Sequence, residues 1–480
     1  MKRRLRPSLP PGPRGLPLLG NLHMMGNLPH RALQKLAAVH GPIMHLRLGL
    51  TDAVVITSPE AARLILRTHD EIFASRPPLE GARHFSYGGR DVASAEYGPH
   101  WRAARKFSTL HLLGHHKVES FKSVREEELR ALVLYLRGAR GGKVDVSEAL
   151  CTLNAGAMCR TVFGRRYMEG EEGGFGEVVR EVSEVMATFN LGDFIPFIGA
   201  LDLQACIGLR RRMRSSKARL DAFLDRIIED HLETTDEALK KDFMGTMLSL
   251  MGTEPPETTT TTEFPIDRTI VAAISLNMLV GMMDTSTIVA EWAMTELLRH
   301  PHVMKAAQEE LARVVGLDRV VTESDLPNLP YLKMVLKESL RLHPAAPFLA
   351  HSSTEECVIG GYRIPAKSFV IVNVWAIGRD PEVWPDPERF DPERFASGDV
   401  DVRGQDFGLL PFGSGRRGCP GMQMAMTWFG LVMAQLLHCF EWELPEGVEA
   451  RGLDMTEKFG LAVPRASHLW AVPTYRLSCA

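Results

Sequence analysis

A mainly α fold with small β-sheets (an α+β chain) is predicted by three observations. Helical periodicity fills most of the sequence, strand-like runs are short and lie near its two ends, and one apolar stretch dominates the middle. That stretch runs from about Pro265 or Ile266 to Arg299, with Asp267 placed to cap it and His300-Pro301 to end it. Some 30 residues of helix extend ~45 Å, enough to cross the whole molecule.

The chain opens Met1-Lys2-Arg3-Arg4-Leu5-Arg6 and runs into Pro10-Pro11-Gly12-Pro13-Arg14-Gly15-Leu16-Pro17. Residues 1–21 therefore read as a basic, proline-rich segment and hinge ahead of a single domain, 22–480. No apolar run of the ~20 residues that span a bilayer is expected here or elsewhere in the chain. Residues 43–48 and 53–57 read as a hairpin, and 362–365 with 368–372 as a second one. Ser58-Pro59-Glu60 reads as a helix start, with Ser58 capping and Pro59 at the first helical position. Residues 252–264, rich in threonine and bearing two prolines, read as a surface loop.

At 480 residues and 45% hydrophobic content the chain can bury a large core. A net charge of −3 gives no reason to expect a nucleic acid partner. The seven cysteines (151, 159, 206, 357, 419, 439, 479) are scattered without a CxxC pair. This argues against a disulfide framework and a zinc site, and fits a reducing compartment.

Three local patterns carry chemistry. In Phe412-Gly413-Ser414-Gly415-Arg416-Arg417-Gly418-Cys419-Pro420-Gly421 a cysteine sits on a glycine-rich loop that opens into an apolar helix. The helix N-terminus, Arg416 and Arg417 are expected to lower the thiol pKa, making Cys419 a thiolate. With Phe412 to cover the sulfur, the loop suits a soft anionic ligand held against a large planar group, a haem iron first of all; the alternative is an inert cysteine in a helix-entry turn. In the middle of the long helix, Gly281-Met282-Met283-Asp284-Thr285-Ser286 places an acid beside a hydroxyl, a costly pair unless it moves protons. The Thr285 hydroxyl can also bond back to a carbonyl and loosen the helix there. Farther on, Pro330 begins a helix in which Glu338 and Arg341, three apart, share a face and can pair.

These residues resemble the cytochrome P-450 superfamily. The haem-ligand pattern F-x-x-G-x-R-x-C-x-G is matched by Phe412, Gly415, Arg417, Cys419 and Gly421. The oxygen-activation pattern [A/G]-G-x-[D/E]-T-[T/S] is matched by Gly281, Asp284 and Thr285, with Met282 standing where a small residue is usual. E-x-x-R is matched by Glu338 and Arg341, and its arginine partner by Arg394 of Pro392-Glu393-Arg394-Phe395 rather than by Arg389 of the preceding copy. W-x-x-x-R is matched by Trp101 and Arg105, and His351 stands where members place a contact to a haem propionate.

The resemblance implies the fold of that family, with haem b between the long central helix and the helix that follows Cys419. It implies a monooxygenase that inserts one oxygen atom from dioxygen, with Cys419 as the axial iron ligand and Asp284 and Thr285 delivering protons. Glu338, Arg341 and Arg394 are implied as a structural triad. No G-x-G-x-x-G follows a strand, so electrons from NADPH would arrive through a separate reductase, with cytochrome b5 as a further donor, docking near Arg102, Lys106 and Arg416.

Passages such as Trp384-Pro385-Asp386-Pro387 and Glu457-Lys458-Phe459-Gly460-Leu461 resemble the plant A-type microsomal branch. This implies a small, largely apolar specialised metabolite of phenylpropanoid, flavonoid or terpenoid type. Segments 77–96 and 184–205, Ala345 to Leu349 and Phe459 to Leu461 would set specificity, with Phe85, Phe189, Phe348 and Phe459 as apolar walls. The N-terminus resembles that of membrane-anchored members with the anchor missing, read as truncation. It implies peripheral membrane contact on the cytosolic face of the endoplasmic reticulum, or alternatively a soluble cytoplasmic protein. Two competing readings are a haem-thiolate isomerase or dehydratase acting on a peroxide without a reductase, and a non-catalytic haem-binding protein.

Overall fold

The computed structural model describes residues 7–478 except 168–174, 196–207, 237–238 and 253–264. Most of the 252–264 segment and part of 184–205 therefore lie outside the described residues.

Among the described residues, nine short strands form three small sheets among long helices, the expected class. The strands are β1 (Ile43–Leu48), β2 (Thr51–Ile56), β3 (Val144–Asp145), β4 (Phe348–Ser352), β5 (Cys357–Ile359), β6 (Tyr362–Ile364), β7 (Phe369–Asn373), β8 (Phe440–Glu443) and β9 (Trp470–Tyr475). The first hairpin forms as expected, β1 antiparallel to β2. The second does not: β6 pairs with β5, while β7 runs parallel to β2 and antiparallel to β4. The reason is burial. Val370, Ile371 and Val372 are all buried, and such a run belongs in the middle of the sheet β1-β2-β7-β4 rather than in an isolated ribbon. The proline-rich segment is bonded to the domain from Ser8 onward: His45 N–H donates to Pro11 O and Arg363 N–H to Ser8 O, each at 2.8 Å.

The helices that frame the site are α1 (Pro29–His40), α2 (Pro99–Phe107), α3 (Val146–Phe163), α4 (Phe175–Ala187), α5 (Leu209–Glu233), α6 (Arg268–Arg299), α7 (Pro330–Leu342) and α8 (Met422–Cys439). Asp267 caps α6 by accepting from Ile270 N–H at 2.8 Å. The first half of α6 is buried in one apolar cluster with α4 and α5, its second half in another with α7 and α8. This helix has the length and mean hydropathy of a membrane span, which corrects the expectation that no such run occurs; it is the central core helix, and most of its apolar window is buried inside the protein. Between those buried halves, Gly281 is exposed and Met282 and Asp284–Thr287 are only partly covered. The first turns of α8, Met422 to Thr427, are likewise open although apolar, before Trp428 to Cys439 are buried. The core thus parts between the middle of α6 and the start of α8.

Candidate active site

Cys419 sits at that parting. Its N–H donates to Phe412 O at 2.8 Å, closing the loop, and Gly418 N–H donates to Gly415 O at 3.0 Å. Gly415 has φ +66°, and a Cβ there would lie 2.1 Å from Leu66 O, so no other residue fits without moving the backbone. The sulfur is solvent-accessible, yet enough protein surrounds it that desolvation pushes its thiol up. Gly421 N–H and the Arg105 charge pull the other way without prevailing. The expectation of a thiolate made by Arg416 and Arg417 is therefore corrected. Arg416 turns outward to Asp70 at 3.3 Å and Arg417 bonds to carbonyls elsewhere, so neither lowers the thiol.

Next to the loop, cationic side chains converge. Arg417 donates to Ala74 O and Ala95 O and lies over the Trp101 ring, 4.0 Å from its centroid. Arg105 of α2 donates to Gly418 O, and Arg76 to Ala350 O and Ala93 O. Burial first of all pushes Arg76 down to about 10 and Arg417 to about 9; the Asp91 charge pulls both back, and repulsion among the arginines adds to the lowering. Among the described residues none of the three has a carboxylate within ion-pair distance; the nearby Asp91 accepts instead from Ser94 and Asn277. Three half-buried guanidiniums with only Asp91 as a nearby anion favour a further anionic group, and the two carboxylates of a haem meet that need. These residues fit haem.

Arg76 was not anticipated from sequence. Its only local signal is its place before Pro77, which favours extended backbone. His351 is buried and desolvation, then Arg76, push it down to about 3, so it is neutral and its Nδ1–H donates to Phe73 O at 2.8 Å. It adds no charge to the cluster. Trp101 spends its one donor on Val92 O at 2.9 Å and serves as the platform under Arg417.

On α6, Gly281 has nothing within 4 Å of where a Cβ would stand, so the helix backbone is open to a ligand there. Thr285 Oγ1–H donates to Gly281 O at 2.7 Å, as the sequence suggested, but α-helical bonding continues unbroken and the expected loosening is absent. Asp284 faces another way, toward Arg180 and Ser183 of α4. Burial pushes its carboxyl up, while Ser183, close but outside bonding geometry, and Arg180 favour the anion. The two residues share a helix turn but are not in contact. Met282, the departure from the family pattern, packs against the α4–α5 apolar cluster.

Glu338 and Arg341 are wholly buried, both at 0% exposure, in a bidentate pair of 2.7 and 2.8 Å. Arg394 Nε donates to the same carboxylate at 3.0 Å, and Arg341 also donates to Gly378 O and Pro387 O. Arg389 contributes only its carbonyl, accepting from Arg341 and Arg394.

Of the proposed apolar walls, Phe348 and Phe459 come together in a T-shaped contact at 6.1 Å. Phe85 does not join them: at 1% exposure it is sealed in the core and presents no wall. Phe189 is 55% exposed and stacks on Phe194 at 5.5 Å, at the outside of the molecule. Arg102 and Arg416 are exposed on either side of Tyr97, each 5.8 Å from its ring centroid.

The comparisons with known proteins agree with this geometry. The family model Cytochrome P450 matches residues 10–470. Cytochrome P450 CYP736A12 of Panax ginseng is 48% identical, over 98% of this chain and 94% of that protein. Flavonoid 3'-monooxygenase of Arabidopsis thaliana is 42% identical, over 98% and 92%. A zebrafish cytochrome P450 solved with abiraterone superposes with a TM-score of 0.77 at 25% identity, over 93% of this chain and 100% of that one. With a cysteine loop at the parting of the core and a family match over nearly its whole length, the chain belongs to the cytochrome P450 family as a P450 monooxygenase.

Proposed function

We propose that the chain oxidises a small, largely apolar plant metabolite of flavonoid, phenylpropanoid or terpenoid type, with electrons from NADPH relayed by a separate reductase. The observation that carries the cofactor assignment is the Arg76–Arg105–Arg417 cluster, three cations with Asp91 as their one near anion, beside an exposed cysteine. When bound, haem supplies the iron at which dioxygen is activated. Cys419 Sγ would hold its iron, and the three arginines would take its carboxylates. Thr285 holds its proton on Gly281 O and can turn it toward the cleft. Asp284, with its carboxyl pushed up, lies nearer the pH at which it can pass protons on. Ala345, Ala346, Phe348 and Leu349 are partly open and carry no charge, which favours a neutral substrate and keeps water out. Similarity to flavonoid 3'-monooxygenase and to flavonoid 3',5'-hydroxylase CYP75B138 of Crocosmia x crocosmiiflora, 41% identical, supports flavonoids as the first class to try. The exposed Arg102, Lys106 and Arg416 suit an acidic redox partner. Relatives of this kind act at the endoplasmic reticulum, and that is the location proposed.

The test is the carbon monoxide difference spectrum of the reduced, haem-loaded protein beside Cys419→Ala. The expected band is strongly red-shifted and lost in the variant; a band at the ordinary haem position would remove Cys419 as the ligand. With a plant reductase and flavanones, Asp284→Asn should slow turnover about a hundredfold while binding is kept.

A further inference from the structure

Phe459 is held from the far end of the chain. Glu457, two residues before it, is buried at 3% side-chain exposure and accepts from His30 Nε2 at 2.9 Å, Arg31 Nε at 2.7 Å and Trp375 Nε1 at 3.3 Å. Burial alone would raise this carboxyl, but His30 and Arg31 outweigh it and hold it down to about 2, so it is an anion. Since the Glu457 carboxylate can only accept, His30 Nε2 carries the proton. The His30 ring in turn touches Phe459, stacked at 6.1 Å, Phe348 at 6.3 Å and Trp375 at 5.0 Å. Its own backbone is fixed by Asn373, whose Nδ2 donates to His30 O at 2.8 Å.

The other leg of the same hairpin is fixed separately. Val463 N–H donates to Ala345 O at 2.9 Å, Trp292 Nε1–H of α6 donates to Val463 O at 3.0 Å, and Lys458 N–H closes the hairpin on Pro464 O at 3.0 Å. The tip between the legs, with Leu461 46% exposed, is therefore set by two anchors, one on the central helix and one on α1.

We propose that His30 is a positioning residue for substrate: through Glu457 it fixes Phe459 against Phe348, so that α1 sets the shape of one wall of the cleft. This rests on the proposed function, in which Phe348 borders the substrate, and on the contact that places Phe459 beside it. It predicts that loss of the His30 donor changes recognition of an aromatic ligand while iron ligation is kept.

The probes are imidazole, which reports on the iron alone, and 4-phenylimidazole, whose ring also reads the wall; both are followed by the spectral shift of the haem-loaded protein. His30→Phe, which keeps an aromatic ring but donates nothing, should lose about tenfold of the preference for 4-phenylimidazole with imidazole affinity unchanged, whereas His30→Gln, which still donates, should stay within about twofold. An unchanged preference in His30→Phe, or an equal loss in both variants, overturns the proposal. Should His30→Phe fail to load haem, Glu457→Gln, which weakens the same anchor, is read in its place with the same expected loss. Lack of the red-shifted carbon monoxide band in the unmutated protein would instead sink the monooxygenase reading itself, so the two failures are distinct.

Discussion

Two groups of arginines differ in how their charge is met: Arg341 and Arg394 lie in a buried pair network, whereas Arg76, Arg105 and Arg417, beside the cysteine loop, are half-buried. Arg341 and Arg394 converge on Glu338, with backbone carbonyls taking the remaining donors. Arg76, Arg105 and Arg417 converge on one another and donate to carbonyls, with Asp91 as a nearby anion outside ion-pair distance, and each is pushed down from its ordinary value by burial before anything else. The first group is closed by a carboxylate in direct contact. The second is open in that sense: its three cations share one near anion and have room for a further anionic group. It is also the more exposed of the two.

The comparison can be broken most directly at its closed member. Glu338→Gln leaves two buried guanidiniums without their carboxylate and should cost about 3–5 kcal/mol, seen as a lower midpoint in urea and failure to take up haem. A stable, haem-loading variant would mean that the network is no more than decoration. Glu457 offers a second closed carboxylate with a pH signature. Its carboxyl is held down to about 2, so the stability it contributes is fully present above its unfolded value near 4.5 and is lost as pH falls through 2. The stability gap between the unmutated protein and Glu457→Gln should be on the order of 3 kcal/mol at neutral pH and shrink across that window. A gap independent of pH would show that the anion contributes nothing.

The open member should respond with the opposite sign. Arg76→Met should weaken haem affinity about tenfold while leaving the melting temperature of the haem-free chain unchanged or raised, because a desolvated cation without a direct carboxylate partner is gone. A haem-free chain destabilised as much as by Glu338→Gln would erase the distinction between the two groups.

How much of this could be read from sequence follows from how local each feature is. The Cys419 loop and the Glu338–Arg341 pair lie within single stretches of backbone, so fixed spacing revealed them. The Asp267 cap and Ser58 cap are set by neighbours three residues away and were equally plain. Arg76 was missed because its significance lies in Ala350, 274 residues on, and in two other arginines that no periodicity links to it. The same blindness produced the errors. Phe85 has the chemistry of a wall, and only packing shows that it is sealed in the core. β7 has the sequence of a hairpin strand, and only its burial shows that it belongs between β2 and β4. The acidity of Cys419 was misjudged because proximity in sequence to Arg416 and Arg417 is not proximity of charge; both point away from the sulfur, and Arg105 is the cation that acts.

The anchoring of Glu457 by His30 also constrains how the molecule can be made. These residues are 427 positions apart, and β9 must likewise reach back to β3 to pair Ala471 with Val144. Contacts of such long range form late and slowly. While the ribosome is still translating the 450s, α1 has no carboxylate to meet and the sheet of β3, β8 and β9 lacks its middle strand. The cleft wall therefore cannot be finished before Glu457 and β9 have been made, whatever has folded by then. For that interval the nascent protein must be shielded with an apolar mouth still open.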